Sequence, residues 1–500
     1  MTIKYCSWLT GNDTTGNGSA GNPYKTITKA STGLTGGDEV RVAKSPEPTA
    51  LTGTISFTKN STAVTGNGTA FTTELTAGDF VLGGDGYWWE VVTITSNTAA
   101  TLYKKYSGTT QSGVASQKLG VTDTGTAAAI TTKVQEVSSS GTSSANLKIS
   151  GGWDLTTETQ TGQTFFRQIH TTFANRYGYG LYIYGKTFTE LSNLNFLRYN
   201  YGIYYNTNSN NNTITGSPVC NSNSYGIFYY NGSNNNTITG SPVCNSNGSF
   251  GISYSNSNNN TITGSPVCNS NSYGIYYTGS NNNVITGSPV CNSNSSNGIY
   301  YKNSNNNYIY GTLTTSGNTS SAIYNDIGIN YILKASIAES TKVTGFTNYA
   351  NSRVFIGNMG GQSYIYTDGG TIVTQAATAG GTGKEWKFSI TSANRGANYP
   401  LNQEIARFLV AANKQVTVKL YFKKSSATAI KAALVMRGGQ IAGVDSDVKV
   451  ECPSNTNRNQ VTLTFTPTEA GVVAIEVWAW YVSSTTDTVI VEDIDITQAD

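Results

Sequence analysis

Charge is scarce in this sequence: 31 basic and 28 acidic residues make up only 12% of its 500. The two signs nearly cancel, and a phosphate backbone needs a clustered basic surface, so nucleic acid is excluded as the main partner. Histidine occurs once, as His170, which removes metal sites and catalytic triads that rely on it. No run approaches the ~18 apolar residues of a membrane-crossing helix, so no membrane insertion is expected. The opening residues, MTIKYCSWLTGND, lack the apolar stretch of a secretory leader. On that reading the chain is made in the cytoplasm and leaves a cell by lysis or inside a particle.

The shortage is sharpest between Glu190 and Asp326, where 135 residues carry no acid and two charges, Arg198 and Lys302. Glycoside hydrolysis needs two carboxylates ~5–9.5 Å apart across the sugar. This stretch supplies no such pair and no acidic calcium site. Acids outside it, Asp154, Glu158, Glu190 and Asp326, show no pairing in the sequence and read as solvated caps and turns. The chain is therefore expected not to be an enzyme, although a site built between subunits would escape the argument.

What is abundant is repetition. Gly202-Ile203, Gly226-Ile227, Gly251-Ile252, Gly274-Ile275 and Gly298-Ile299 mark a period of 23–25 residues. Ile214, Ile238, Ile262, Ile285 and Ile309 form a second column, and Val219, Val243, Val267, Val290 and Leu313 a third. Each period holds three short strands separated by Asn-, Ser- and Gly-rich turns. Such a unit buries nothing alone, but coils stacked at ~4.8 Å pair their strands and align the Ile and Val columns into one interior. The turns Asn210–Asn212, Asn234–Asn236, Asn258–Asn260, Asn281–Asn283 and Asn305–Asn307 should then form amide ladders. Cys220, Cys244, Cys268 and Cys291 recur with the coil; with Cys6 and Cys452 they are expected as free thiols.

These residues predict an all-β chain, a right-handed parallel β-helix of about 24 residues per coil, with its best repeats at 200–312. The pattern N-N-x-I-T-G…Y-G-I-Y-Y resembles the Asn-rich coils of the pectate-lyase-like and phage-tailspike group. The start fits that group too. Gly21–Ala30 resembles its capping helix, and Gly36-Gly37-Asp38-Glu39-Val40-Arg41-Val42 its first strand. Residues 1–52 are read as cap and first coil, and 119–375 as the body. Residues 53–118, with V-T-G-N-G-T-A-F at 64–71 and Gly78-Asp79, resemble a small β-barrel module of phage tail proteins, inserted into the helix. Residues 376–500 alternate like an antiparallel β-sandwich and resemble the jelly rolls of carbohydrate-binding modules. That resemblance implies a structural calcium near Asp493 and Asp495; no other cofactor is expected.

Alternation places Tyr204, Phe228, Ser253, Tyr276 and Tyr300 outward, with Ser253 breaking the aromatic column. Tyr205, Tyr229, Tyr254, Tyr277 and Tyr301 should point inward or line a corner. The outer column could stack on sugar rings, pack on a partner, or stabilise its own strands. Trp88 and Trp89 are a further candidate contact patch. The combined resemblance implies a virion protein of a tailed bacteriophage, a tail fibre or tailspike in host attachment. Its expected partners are other virion proteins, further copies in a trimer, and a host polysaccharide or receptor. Two rivals stay open: a polysaccharide depolymerase, and a purely architectural capsid or tail decoration.

Overall fold

A computed structural model describes residues 1–126, 133–169, 176–325, 329–337, 343–344, 353–359, 362–364, 375–377, 384–389, 401–410, 413–428, 430–436, 448–468, 471–481 and 488–498. For most of 329–410 the backbone alone is described, and His170 and Asp326 fall outside. The chain divides into two units, Met1–Gly328 with Ile337–Gly345, and Ile329–Ser336 with Phe346–Asp500. No helix among the described residues is long and apolar enough to cross a membrane.

The first unit is a right-handed parallel β-helix whose logic shows in one coil. Thr213–Thr215 points Ile214 inward, a Gly-Ser-Pro turn leads to a single paired residue, Val219, and an Asn-Ser-Asn turn leads to Tyr225–Tyr230. Each piece pairs in parallel with its copy one coil on. Ile214, Ile238, Ile262, Ile285 and Ile309 run along the first face, and Leu181, Ile203, Ile227, Ile252, Ile275, Ile299 and Ile323 along the third.

The second face departs from expectation. Val219, Val243, Val267 and Val290 pair in series, but the next partner is Thr314, not Leu313. The side chains flanking each valine point inward: Cys220, Cys244, Cys268 and Cys291 are fully buried free thiols, while Val219, Val243 and Val290 are half-exposed. In Ser-Pro-Val-Cys, alternation cannot bury proline, valine and cysteine together, so sulfur fills the interior and valine forms an outer stripe. Leu313, fully buried, takes the place of the proline.

Small residues and amides hold the coils in register. A Cβ at Gly202, Gly226, Gly251, Gly274 or Gly298 would stand 2.4–2.6 Å from the next coil's carbonyl oxygen, so only glycine fits this corner. Within each Asn triplet the middle residue is left-handed, at φ 54–57°. The third residue forms the inner ladder: Oδ1 of Asn236 accepts from N and Nδ2 of Asn212, and Asn260, Asn283 and Asn307 repeat this at 2.9–3.1 Å. A second buried ladder, Asn223–Asn247–Asn271–Asn294–Asn318, was not anticipated. Tyr205, Tyr229, Tyr254, Tyr277 and Tyr301 stack inside with centroids 4.8–5.0 Å apart.

At the N-terminal end the helix Ile27–Ser31 buries Ile27, Ala30 and Ser31 over the open core, and Thr26 caps it through Lys29 N. A strand missed in the sequence, Ile3–Cys6, precedes it and pairs in parallel with Glu39–Ala43. Residues Thr49–Lys118 form an eight-stranded antiparallel sheet around their own core, including Phe57, Phe71 and Trp89. In the second unit Ile329–Ile337 pairs in parallel with Arg353–Met359. Beyond it, the described strands Lys384–Ser389 (1), Leu401–Val410 (2), Val416–Lys424 (3), Ile430–Met436 (4), Val448–Glu451 (5), Asn459–Phe465 (6), Gly471–Tyr481 (7) and Thr488–Gln498 (8) fall into two antiparallel sheets, ordered 1-8-3-6 (with Gln375–Ala377 at its edge) and 2-7-4-5. Both sheets share one core containing Leu420, Phe422, Leu434 and Ile475.

Candidate ligand-binding site

The outer aromatics form a longer ladder than the sequence suggested. Tyr201 and Tyr225 stack at 4.6 Å and 14°, and Tyr204 and Phe228 at 5.3 Å and 10°. Ser253 does not break the ladder, because Phe250, three residues earlier, swings over the gap and stacks on Tyr276 at 4.5 Å and 17°. Rings stacked this way spend their faces on one another and turn edges outward. A sugar ring stacks on a face, so most of this ladder cannot serve as a sugar platform. Only Tyr300 is turned, at 80° to Tyr276 and 79° to Tyr324. Self-stacking accounts for Tyr204, Phe228 and Tyr276.

The two tryptophans part company. Trp89 is 1% exposed, packs edge-on against Tyr106 and donates Nε1 to Asp85 at 3.2 Å, so it belongs to the core of the inserted sheet and not to a contact patch. Trp88, next along the strand, points the other way and is half-exposed. It packs, partly buried, against Phe80, Leu119 and Leu197, as Phe165 and Val219 do, and lines a groove of about 450 Å³ with Tyr87, Phe165, Val219 and Val243. Neutral polar groups of Gln163, Ser217 and Asn221 complete the lining, and Glu47 is its one acid. No ring among the described residues stacks on Trp88.

Ion pairs fix this groove by riveting the insertion to the coils. Glu90, fully enclosed, holds Arg176 at 2.8 Å through one oxygen and Arg198 at 3.0 Å through the other. Arg167 holds Asp79 at 2.8 Å and Asp123 at 2.6 Å. Burial works against the Asp79 carboxylate, but Arg167 and the Thr76 backbone N–H outweigh it and keep its pKa below the ordinary value. Burial, with Arg176 and Arg167 nearby, pulls Arg198 down to about 10 against the pull of Glu90. A Cβ at Gly78 would stand 2.2 Å from the Arg198 guanidinium, so backbone and arginine are in close contact. Arg198, just ahead of the regular coils, thus joins Arg167 and Arg176 in the socket for the insertion.

At the groove's edge Lys44 reaches Asp154 at 3.4 Å and Glu47 at 3.8 Å. Two carboxylates that share one ammonium lie near each other, as the pair of a hydrolase must. Yet backbone N–H groups of Thr156 and Thr157, with Lys44, hold the Asp154 carboxyl below its usual pKa. A general acid needs the opposite shift. Asp85, whose pKa burial raises, is engaged by Trp89 and the Tyr87 backbone.

A family model described as periplasmic copper-binding protein (NosD) matches residues 157–380. No curated protein sequence matches the chain. Among solved structures, an alginate lyase from a Paenibacillus species is 14% identical over 41% of this chain, at a TM-score of 0.25. The chain spans 64% of that lyase's length. A lacto-N-biosidase from Eubacterium ramulus is 9% identical over 72% of this chain and 67% of its own, at 0.29. The tailspike of an Acinetobacter baumannii bacteriophage, solved with a capsular saccharide, is 9% identical over 92% of this chain and 85% of its own, at 0.18. The fold stands on the strand pairings above and not on these likenesses.

Among the described residues of the matched segment, no copper site is formed. Its soft donors, Cys220, Cys244, Cys268 and Cys291, are sealed in the core, and no three of His, Cys, Asp and Glu converge among the described residues. Asp493 and Asp495 lie on Thr488–Gln498, with side chains outside the described ones. The sequence reading named Trp88 but missed its groove partners Tyr87, Phe165, Lys44 and Glu47. Their convergence depends on how the insertion docks, which no local pattern encodes.

Proposed function

We propose that this chain is an attachment spike or fibre of a tailed bacteriophage that holds a host-surface polysaccharide in the groove between its inserted sheet and its solenoid. The observation that carries this reading is Trp88: a partly exposed ring, packed against Phe80, Leu119 and Leu197, that lines a groove of apolar and neutral polar groups with one acid, Glu47. Such a lining suits sugar rings, which offer apolar C–H faces and hydroxyl edges. The phage context rests on the resemblance of the insertion to phage tail modules. The alternating strand order of the C-terminal sandwich supports a jelly roll there. Assembly into a trimer with other virion proteins belongs to the same reading, and light scattering of a particle-derived monomer would sink it. On this proposal the protein binds and does not cut.

The test is binding of the whole protein to immobilised bacterial capsular and O-antigen polysaccharides, with Trp88→Ala beside wild type. Retention that falls at least tenfold in the variant is expected; equal retention, or none by either protein, rejects the groove. A depolymerase has one observation in its favour, the Lys44-bound carboxylates. New reducing ends that vanish in Asp154→Asn would establish it in place of simple binding.

A further inference from the structure

A second hollow of about 290 Å³ adjoins the Trp88 groove, lined by Trp8, Leu9, Lys44, Trp153, Asp154 and the rim of the core at Phe166. The two share a wall. Val42-Ala43-Lys44 lines the second, and Ser45-Pro46-Glu47-Pro48 the first. Ser45 of one side is hydrogen-bonded to Thr122 of the other at 2.9 Å. Lys44 itself grips a carboxylate from each side, Asp154 and Glu47.

The second hollow also offers rings. Trp8 is half-exposed with the Lys25 ammonium 4.9 Å from its ring centre, and Trp153 carries the Arg41 guanidinium at 3.8 Å. Each cation lies over a ring face, and both rings line the hollow. Leu9 beside them is 62% exposed, an apolar side chain that nothing in this unit covers. At the junction one ammonium meets two carboxylates, leaving one negative charge that the Lys25 ammonium over Trp8 offsets, while Arg41 is balanced by Glu39 at 3.0 Å. A site whose charges cancel gives a polyanion no net attraction, and an uncharged chain needs none.

We infer that the two hollows are one extended site for an uncharged polysaccharide, with sugar units on the Trp88 side and on the Trp8–Trp153 side and the chain crossing the Lys44 junction between them. This rests on the attachment reading above and adds the length and charge class of its ligand. The junction hydroxyls and carboxylates then accept from sugar hydroxyls, and Lys44 donates.

The test uses the full chain on a printed array of purified bacterial polysaccharides of known charge, followed by titration of the strongest polymer and of its single repeat unit. The expected result is that uncharged polymers dominate the hits. Trp8→Ala and Trp88→Ala each weaken polymer binding about tenfold, while the single repeat unit responds to only one of them. Trp8→Tyr, which keeps a ring, should restore most of the loss and so separates stacking from misfolding. If Trp88→Ala abolishes binding while Trp8→Ala stays within twofold of wild type, the extended site is overturned and the single groove stands. Hits confined to acidic polymers overturn the charge class. Binding that no Trp88 variant alters overturns both readings.

Discussion

The inner asparagines show how one residue type specifies this interior. Asn236 accepts two hydrogen bonds from Asn212 and donates to Asn260, all of it out of reach of water. Asn236→Ala strands two buried donors, each at about 1–3 kcal/mol, and a matching fall in stability is expected from the urea midpoint. The outer tyrosines should separate stability from binding. Tyr204→Ala removes stacking with Tyr201 and Phe228, at about 0.5–1.5 kcal/mol per ring pair beyond buried area, while leaving polysaccharide retention unchanged. Lost retention in Tyr204→Ala would return the ligand to the ladder. At this scale the sequence was legible where a period repeats: the Ile columns, the Asn210 and Asn212 ladders and the inward tyrosines follow from spacing. The inward thiols adjoin a one-residue strand, too short for alternation to be recognised, and the second Asn ladder sits in the turn that follows it.

Among elements, the docking of the inserted sheet is the contact on which the groove depends. Glu90 and Arg176 stand 86 residues apart in sequence and meet only in the fold. Glu90→Gln leaves two enclosed guanidiniums facing a neutral amide. A loss of about 3–5 kcal/mol is expected, read as faster hydrogen exchange in Phe80–Leu82 and Trp88–Ser96. The Asp79–Arg167 pair makes the docking pH-dependent. Because its folded pKa is depressed, Asp79 contributes stability above its unfolded value of ~3.9, lost as pH falls through the folded value. Thermal unfolding between pH 5 and 2.5 should therefore fall more steeply in wild type than in Asp79→Asn. Parallel curves would place the acid sensitivity elsewhere.

For the whole molecule, the stretch with least charge is the most regular, and it serves as the rigid wall of a site whose other wall is inserted. The solenoid and the alternating C-terminal strands could be read from the sequence, because one repeats every coil and the other every second residue. The groove could not, because Trp88, Phe165, Val219 and Glu47 come from four separate segments. Its chemistry favours holding over cutting: Asp154 is kept ionised and tied to Lys44, and the regular coils carry no acid. The most direct test is light scattering during size-exclusion chromatography of the protein mixed with an uncharged surface polysaccharide that it retains. Co-elution with the polymer at unchanged polymer mass is the expected result; failure to co-elute, or a polymer mass that falls with time, would contradict it.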